Sequence, residues 1–180
     1  MLQYLRNHRT HLQLGFTAIE MLVTMAILGI LVAIAVPNLT SFVVNADLRG
    51  AVSTLQTDAM NARSEAIKLA RPVIVRPTFP SIGWIGGWQI IVLDTAGVEA
   101  TTLVIREATP SSLALGTGSS TPMDTIRYDS AGFARTSTGS FLAGCIRFDA
   151  AATSKSSGIV LDAAGRPRVW RGNTSDSACV

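Results

Sequence analysis

An apolar segment near the N-terminus constrains this chain more than any other feature. Residues 16–36 form a run of 21 residues in which Glu20 is the one ionisable side chain. As a helix rising about 1.5 Å per residue, this run is about 30 Å long, which matches the hydrocarbon core of a bilayer. A carboxylate inside such a segment is costly, and it therefore indicates a specific role. The segment predicts a membrane-spanning helix in which Glu20 needs a partner.

A short basic leader precedes this run and ends at Gly15. Its basic and histidine side chains are Arg6, His8, Arg9 and His11. Positive charge at this flank holds the N-terminus in the cytoplasm. A secretory signal peptide is cut after its apolar stretch, whereas Gly15 lies before it. Cleavage after Gly15 would remove the leader, retain the apolar helix and leave Phe16 as the new N-terminus.

The joint pattern of Gly15, Phe16, Glu20 and Pro37 resembles the type III signal sequence of type IV pilins and type II secretion pseudopilins. In that family a prepilin peptidase cleaves after the glycine and N-methylates the new terminal residue, here Phe16. The resemblance implies that Glu20 pairs with the α-amino group of Phe16 on a neighbouring subunit and sets the axial register. Pro37 is a weak point at which the helix could unwind in a filament. An ordinary single-pass anchor with one tolerated glutamate is the alternative.

The pattern changes after Pro37 from uniformly apolar to amphipathic. An apolar stripe follows alternating steps of four and three, which is typical of one face of an α-helix. The stripe consists of Leu48, Val52, Leu55, Ala59, Ala62, Ala66 and Leu69. The opposite face is predicted to carry Asp47, Arg49, Asp58, Arg63, Glu65 and Lys68. The helix should end near Arg71, because Pro72 disfavours helix at the residue before it.

From Pro72 onward the sequence is typical of strands and turns. The candidate strands are residues 73–76, 88–93, 102–106, 125–128, 133–135, 144–148, 158–161 and 167–170. Residues 129–132 and 162–165 predict tight turns with glycine at the positive-φ position, and residues 77–87 and 109–123 predict loops.

The chain is therefore expected to be an α+β protein in which a long N-terminal helix packs on an antiparallel sheet, as in type IV pilins. Its segments are a leader (1–15), a membrane or filament-core helix (16–37), an amphipathic helix (38–71) and a β-rich head (72–180). The motifs R-Y-D-S-A-G-F-A and G-I-V-L-D-A-A-G-R-P-R-V resemble the branch of pilins and pseudopilins that includes GspH, FimT and FimU.

Two cysteines, Cys145 and Cys179, lie in the head. This head would sit outside the cytoplasmic membrane in an oxidising compartment, so we expect a disulfide. It would close a loop of about 35 residues and stabilise the polar tail, contributing roughly 3–4 kcal/mol in the chain-entropy model. Two free thiols are the alternative, and a metal site is disfavoured because two cysteines without histidine fall short of a ligand set.

The inventory of side chains argues against an enzyme. Both histidines would be lost with the leader, so no Ser-His or Cys-His nucleophile can form. No G-x-x-x-x-G-K-[ST] phosphate loop is present. Of the 15 basic residues two lie in the leader, which leaves 13 against 12 acidic residues. We therefore expect no catalytic residue, no metal and no cofactor, and only local clusters of charge are informative.

Three arginines form such a cluster near the C-terminus: Arg166, Arg168 and Arg171. In a strand, Arg166 and Arg168 would point to the same face as Trp170, and Arg171 would lie at the strand end. Guanidinium groups suit phosphate oxygens, and a neighbouring ring suits base stacking. The segment Gly165-Arg166-Pro167-Arg168 resembles the G-R-x-R motif of FimT-type minor pilins, which bind DNA in natural transformation.

Two functions are therefore left open. A minor pilin at a pilus tip would bind extracellular double-stranded DNA through this arginine cluster. A structural minor pilin or type II secretion pseudopilin would instead prime filament assembly without binding DNA.

Proteins of both kinds would reside in the bacterial inner membrane, with the N-terminus cytoplasmic, before reaching the periplasm or cell surface. Both would have the prepilin peptidase and other minor and major pilins as partners. A basic surface across Arg127, Arg135, Arg147 and Lys155 favours the first, and its interruption by Asp129, Asp149 and Asp162 favours the second.

Overall fold

The computed structural model describes residues 15–116, 123–162, 164–177 and 179. Residues 1–14 of the predicted leader and residues 117–122 of the predicted loop lie outside the described residues. The chain divides into two compact units, with the boundary between Leu39 and Thr40. The first unit contains the start of helix α1, which runs from Ala18 to Leu69. The second contains the rest of α1 and all of the β-structure.

Within the first unit, the residues of α1 are exposed up to position 36, and apart from Glu20 and Thr24 they are apolar. The most apolar part of the helix has a mean hydropathy of 2.6 and is long enough to cross a membrane by length and composition. The helix backbone is continuous through position 37. A surface this apolar needs a lipid or protein environment to cover it.

Nine strands follow in the described part of the second unit. They are β1 (Val73–Pro77), β2 (Trp88–Leu93), β3 (Glu99–Ile105), β4 (Ala114–Leu115), β5 (Ile126–Tyr128), β6 (Ala134–Arg135), β7 (Gly144–Ala150), β8 (Lys155–Leu161) and β9 (Pro167–Asn173). One sheet has the order β3-β2-β1-β5-β6, the other has the order β4-β7-β8-β9, and the strand pairs of both sheets are antiparallel. Short 3₁₀ turns occupy Gly83–Gly86 and Ala151–Thr153.

The α+β fold with a long N-terminal helix and antiparallel sheets is confirmed, and each of the eight expected strands is present. Alternation and turn residues are local signals, which is why they locate strands well. The bounds of several strands and one additional strand differ from expectation. Strands β3 and β8 each begin three residues earlier than expected, at Glu99 and Lys155, and β7 ends two residues later, at Ala150. The two-residue strand β4 lies in a segment predicted to be a loop, because pairing with β7 imposes an extended backbone there. Strand β9 continues to Asn173, three residues beyond its expected end, because it pairs with β8 along its whole length.

The amphipathic part of α1 packs its apolar stripe against the sheets, as predicted, from Leu48 to Ala66. Two residues of the helix differ from prediction. Leu69 is 45% exposed, because it is the last helical residue and borders a groove beside Val92 and Leu103. Asp58 was expected on the solvent face but is fully buried. It lies at the edge of the stripe, one residue before Ala59, and its charge is matched by donors from the sheet.

Candidate functional site

Thr17 caps the N-terminus of α1. The backbone N–H of Glu20 donates to Thr17 Oγ1 at 3.3 Å, and the N–H of Met21 donates to the Thr17 carbonyl at 3.2 Å. Thr17-Ala18-Ile19-Glu20 thus has the Thr-x-x-Glu spacing of a helix capping box. That spacing is visible in the sequence, although the sequence interpretation assigned no role to Thr17.

Glu20 lies in the first turn of α1, where a negative charge interacts favourably with the helix dipole. Its carboxylate forms no ion pair with any part of the chain that the structure describes. The side chain is exposed, as are those of Gly15 and Phe16 just before the helix. A cation from outside the subunit can therefore reach this carboxylate.

Three turns of the head share one Asp-X-Ala-Gly design. They begin at Asp94, Asp129 and Asp162. In each, the aspartate Oδ1 accepts two backbone N–H groups, two and four residues later, at 2.8–3.0 Å. The glycine of each turn has a positive φ of 76–82°. Two of these turns were expected, and the Asp94 turn was missed although it has the same sequence signal.

Arginines reinforce the second and third of these turns. Arg166 Nε donates to Asp162 Oδ2 at 2.8 Å, and Arg135 Nε donates to Asp129 Oδ2 at 2.8 Å. Hydrogen bonds from the backbone N–H and then the guanidinium of Arg166 lower the pKa of Asp162. For Asp129, burial acts to raise the pKa, but the hydrogen bonds from Arg135 and two backbone N–H groups outweigh it and lower the pKa. One arginine of the cluster, Arg166, therefore already has an anionic partner.

The other two arginines of the cluster lie on opposite faces of β9. Side chains alternate along a strand, so Arg168 shares a face with Trp170, and Arg171 shares a face with Val169. The expectation that Arg171 lies at the strand end is wrong, because β9 extends to Asn173. Arg168 is exposed, and its side chain has no hydrogen bond or ion pair within the described part of the chain.

Arg166 and Arg168 border a groove of about 760 Å³ between α1 and the β8–β9 turn. The helix side of this groove contributes Met60, Arg63 and Ile67. The guanidinium of Arg63 is partly engaged, since its Nε donates to the Gly132 carbonyl at 2.8 Å. The groove therefore contains three guanidinium groups, apolar side chains and the carboxylate of Asp162, which lowers its net charge.

The possible basic surface across Arg127, Arg135, Arg147 and Lys155 is interrupted. Arg147 is buried and its Nε donates to Asp149 Oδ1 at 2.7 Å, so its charge is paired and does not contribute to the surface. Arg135 and Arg166 are paired with Asp129 and Asp162. The ion pairs at Asp129, Asp149 and Asp162 therefore interrupt the positive charge that a continuous basic surface would need.

The buried Arg147 fastens the C-terminal tail. Its guanidinium donates to the carbonyls of Asn173 and Asp176 and to the Ser156 hydroxyl, and it lies 5.5 Å from the ring centroid of Trp170. Trp170 therefore stacks against an internal arginine. The expected disulfide joins Cys145 on β7 to Cys179, with Cα atoms 6.2 Å apart. The tail is thus held both covalently and by hydrogen bonds to one buried cation.

The chain is similar in fold to solved pilin structures. Two crystal structures of the type IV minor pilin FimU from Pseudomonas aeruginosa (strain PAO1) align at 16% identity with TM-scores of 0.52 and 0.50. They cover 75% and 72% of this chain and 95% of FimU in each case. The minor pseudopilin EpsH from the Type 2 Secretion System of Vibrio cholerae aligns at 8% identity and a TM-score of 0.49, covering 72% of this chain and 99% of EpsH. At these identities the likeness to FimU shows the fold alone.

Sequence comparison gives the family. No curated protein sequence matches the chain. A prokaryotic N-terminal methylation motif matches residues 11–36. With the pilin fold, this motif defines a protein of the pilin and pseudopilin class, which is a structural class rather than an enzyme class. The model of the family described as Type II transport protein GspH matches residues 51–165, more than half of the chain, and the protein belongs to that family.

Proposed function

We propose that this protein is a structural subunit that enters a pilus or pseudopilus through α1. In this proposal it first spans the inner membrane once, with its N-terminus in the cytoplasm. The prepilin peptidase then cleaves between Gly15 and Phe16 and methylates Phe16. The observation that carries the proposal is the exposed apolar start of α1, where the Thr17 hydroxyl accepts the backbone N–H of Glu20 and the Glu20 carboxylate has no cation within the described residues.

Glu20 is proposed to bind the α-amino group of a neighbouring subunit's Phe16. The cleaved N-terminus would supply a positive charge that the precursor does not have at that position. In an apolar surrounding such a pair is strongly favoured over two separated charges. The proposed pair therefore links leader removal to filament entry and sets the axial register.

The test compares Glu20→Gln with Thr24→Val. The glutamine variant keeps the shape of the side chain and removes its charge, so membrane insertion should persist and incorporation into sheared filaments should fall at least about tenfold. Thr24 lies four residues further along and donates to the Met21 carbonyl, so Thr24→Val should assemble like the parent. Equal incorporation of Glu20→Gln and the parent would refute the register role.

Processing is tested separately by the mass of the assembled subunit. Gly15→Leu should leave the leader in place and hold the protein in the membrane at full length. The parent should begin at an N-methylated Phe16. An assembled parent subunit that retains residues 1–15 would exclude processing at this site.

DNA binding is a second candidate function, because Arg168 is exposed and, within the described residues, unpaired beside Arg166 and Arg63. Such a site would contact phosphates of double-stranded DNA without reading sequence. The neutralisation of Arg166 by Asp162 and the burial of Arg147 support the structural function instead. Arg171 would contribute from the opposite face of β9 at most indirectly.

Fluorescence anisotropy with a double-stranded oligonucleotide distinguishes the DNA-binding function from the purely structural one. The unit from Thr40 onward has its own core and can be used for this assay. If it binds DNA through the groove, Arg168→Ala should weaken binding and reduce the slope of log K against log salt by about one, whereas Arg171→Ala should not. No binding by the parent at low salt, or equal effects of both variants, would exclude DNA binding by this groove.

A further inference from the structure

The face of the five-stranded sheet that lies opposite α1 carries an aromatic–arginine cluster at one edge. The alternation of side chains defines this face: Tyr128 and Ala134 are buried against the core, so Arg127, Phe133 and Arg135 point away from it. Phe141 joins them through the bridge between Arg135 and Phe141. We call Arg127, Phe133, Arg135 and Phe141 the edge cluster.

The edge cluster is held in a defined geometry. The rings of Phe133 and Phe141 meet edge to face with centroids 5.8 Å apart. The guanidinium carbon of Arg135 lies 4.1 Å from the Phe141 centroid and 5.5 Å from the Phe133 centroid. Its Nε is held by Asp129, as described above. Arg135 is therefore pre-organised and loses little freedom when a partner binds.

Two features of the edge cluster are unfavourable in the isolated subunit. Phe133 is 37% exposed and Phe141 is 55% exposed, so two large rings remain partly in contact with water. Arg127 lies directly opposite Arg135 in the β5–β6 register, and like charges at opposed positions destabilise a strand pair. Asp129 balances one of the two charges, and Arg127 has no partner within the described part of the chain.

A carboxylate-bearing protein segment would relieve both features. Its carboxylate would complete the charge balance between Arg127 and Arg135, and a neighbouring apolar side chain would cover the two rings. Aromatic residues and arginine are the side chains that dominate the energy of protein interfaces. Nucleic acid fits less well, because Asp129 leaves the cluster with a single net positive charge and a phosphate backbone requires several.

We propose that the edge cluster docks an acidic segment of a neighbouring subunit of the same filament. This inference rests on the proposed structural function and adds the chemistry of one contact. It assigns Arg127 as the residue that selects the acidic partner and Phe141 as the side chain that becomes buried.

The test uses the full-length protein in cells that assemble filaments. A photoreactive benzoyl-phenylalanine replaces Phe141 in one variant and Phe79 in another. Phe79 is a matched control, since it is 54% exposed and is not part of the edge cluster. Illumination should crosslink position 141, but not position 79, to a segment of another filament subunit that contains Asp or Glu, as identified by mass spectrometry.

Charge reversal then tests the role of Arg127. Arg127→Glu should reduce the crosslink from position 141 by about tenfold or more, and reversing the partner's carboxylate to lysine should restore it. Arg127→Lys keeps the charge and should retain most of the yield, which controls for folding. A crosslink to nucleic acid or lipid, a crosslink unaffected by Arg127→Glu, or none at all in a subunit that does enter filaments would overturn the docking proposal. Absence of the subunit from filaments would instead refute the proposed function.

Discussion

The indole Nε1 of Trp88 donates a hydrogen bond of 2.8 Å to Oδ2 of Asp58, within the core between α1 and the first sheet. The same carboxylate accepts two further bonds from Arg106, from Nε at 2.8 Å and Nη2 at 2.9 Å. Hydrogen bonding to Asp58 raises the pKa of Arg106 above its ordinary value, so this guanidinium stays charged. One buried carboxylate thus joins the helix to the start of β2 and the end of β3.

Removing this carboxylate should destabilise the head strongly. Asp58→Ala leaves the buried indole N–H of Trp88 without its acceptor and Arg106 without its anion. The unsatisfied buried N–H, together with the loss of two charge-assisted hydrogen bonds from the partly exposed Arg106, should cost about 3 kcal/mol. Urea unfolding of the unit from Thr40 onward measures the loss. Glu107→Ala, at an exposed residue next to Arg106, should change the free energy of unfolding by less than about 0.5 kcal/mol. Similar effects of both variants would contradict this assignment.

The glycines of the Asp-X-Ala-Gly turns should differ in their tolerance of alanine. Gly97 has a φ of 82° and open space where an alanine methyl group would lie, so Gly97→Ala should cost about 1 kcal/mol from backbone strain. A Cβ on Gly165 would lie 2.6 Å from the backbone nitrogen of Ala134, so Gly165→Ala should cost about 3 kcal/mol. Thermal denaturation of the two variants gives the comparison, and equal losses would show that contact with Ala134 has no effect.

Acid should weaken the two turns that are reinforced by arginine. The pKa values of Asp129 and Asp162 are lower in the folded protein than the ordinary value of 3.8. Their ionised forms therefore stabilise the fold fully above about 3.8, and this stabilisation is lost as the pH falls through the lower folded values. The melting temperature of Asp129→Asn/Asp162→Asn should fall less steeply than that of the parent below pH 3.8. Parallel curves would mean that these carboxylates do not contribute to acid sensitivity.

Loss of the buried Arg147 should release the C-terminal tail. Arg147→Ala leaves Asp149 without its cation and the carbonyls of Asn173 and Asp176 without their donor. We expect residues after β9 to become at least about tenfold more sensitive to limited proteolysis under reducing conditions, where the disulfide no longer holds them. Arg168→Ala removes an exposed arginine from the same sheet and should leave the tail protected. Equal protection of both variants would assign the tail's order to other contacts.

Local patterns in the sequence determined much of this protein. The run after Gly15 carries its own evidence for a membrane or filament-core helix, because length, apolarity and the place of Glu20 are all properties of one continuous segment. Eight of the nine described strands and two of the glycine turns were predicted, because alternation and turn chemistry act over a few residues. The stripe from Leu48 to Ala66 likewise follows from helical periodicity alone.

The tertiary structure decided which charges are available. Asp58 is placed by periodicity at the edge of a helix face, and its burial depends on Trp88 and Arg106, which lie 30 and 48 residues away. Arg147 and Arg168 are both arginines on strands, yet the first is enclosed by the tail and the second is exposed. The sequence determines which side chains can carry a charge. The partner of each charge and its contact with water depend on segments that meet only after the chain folds.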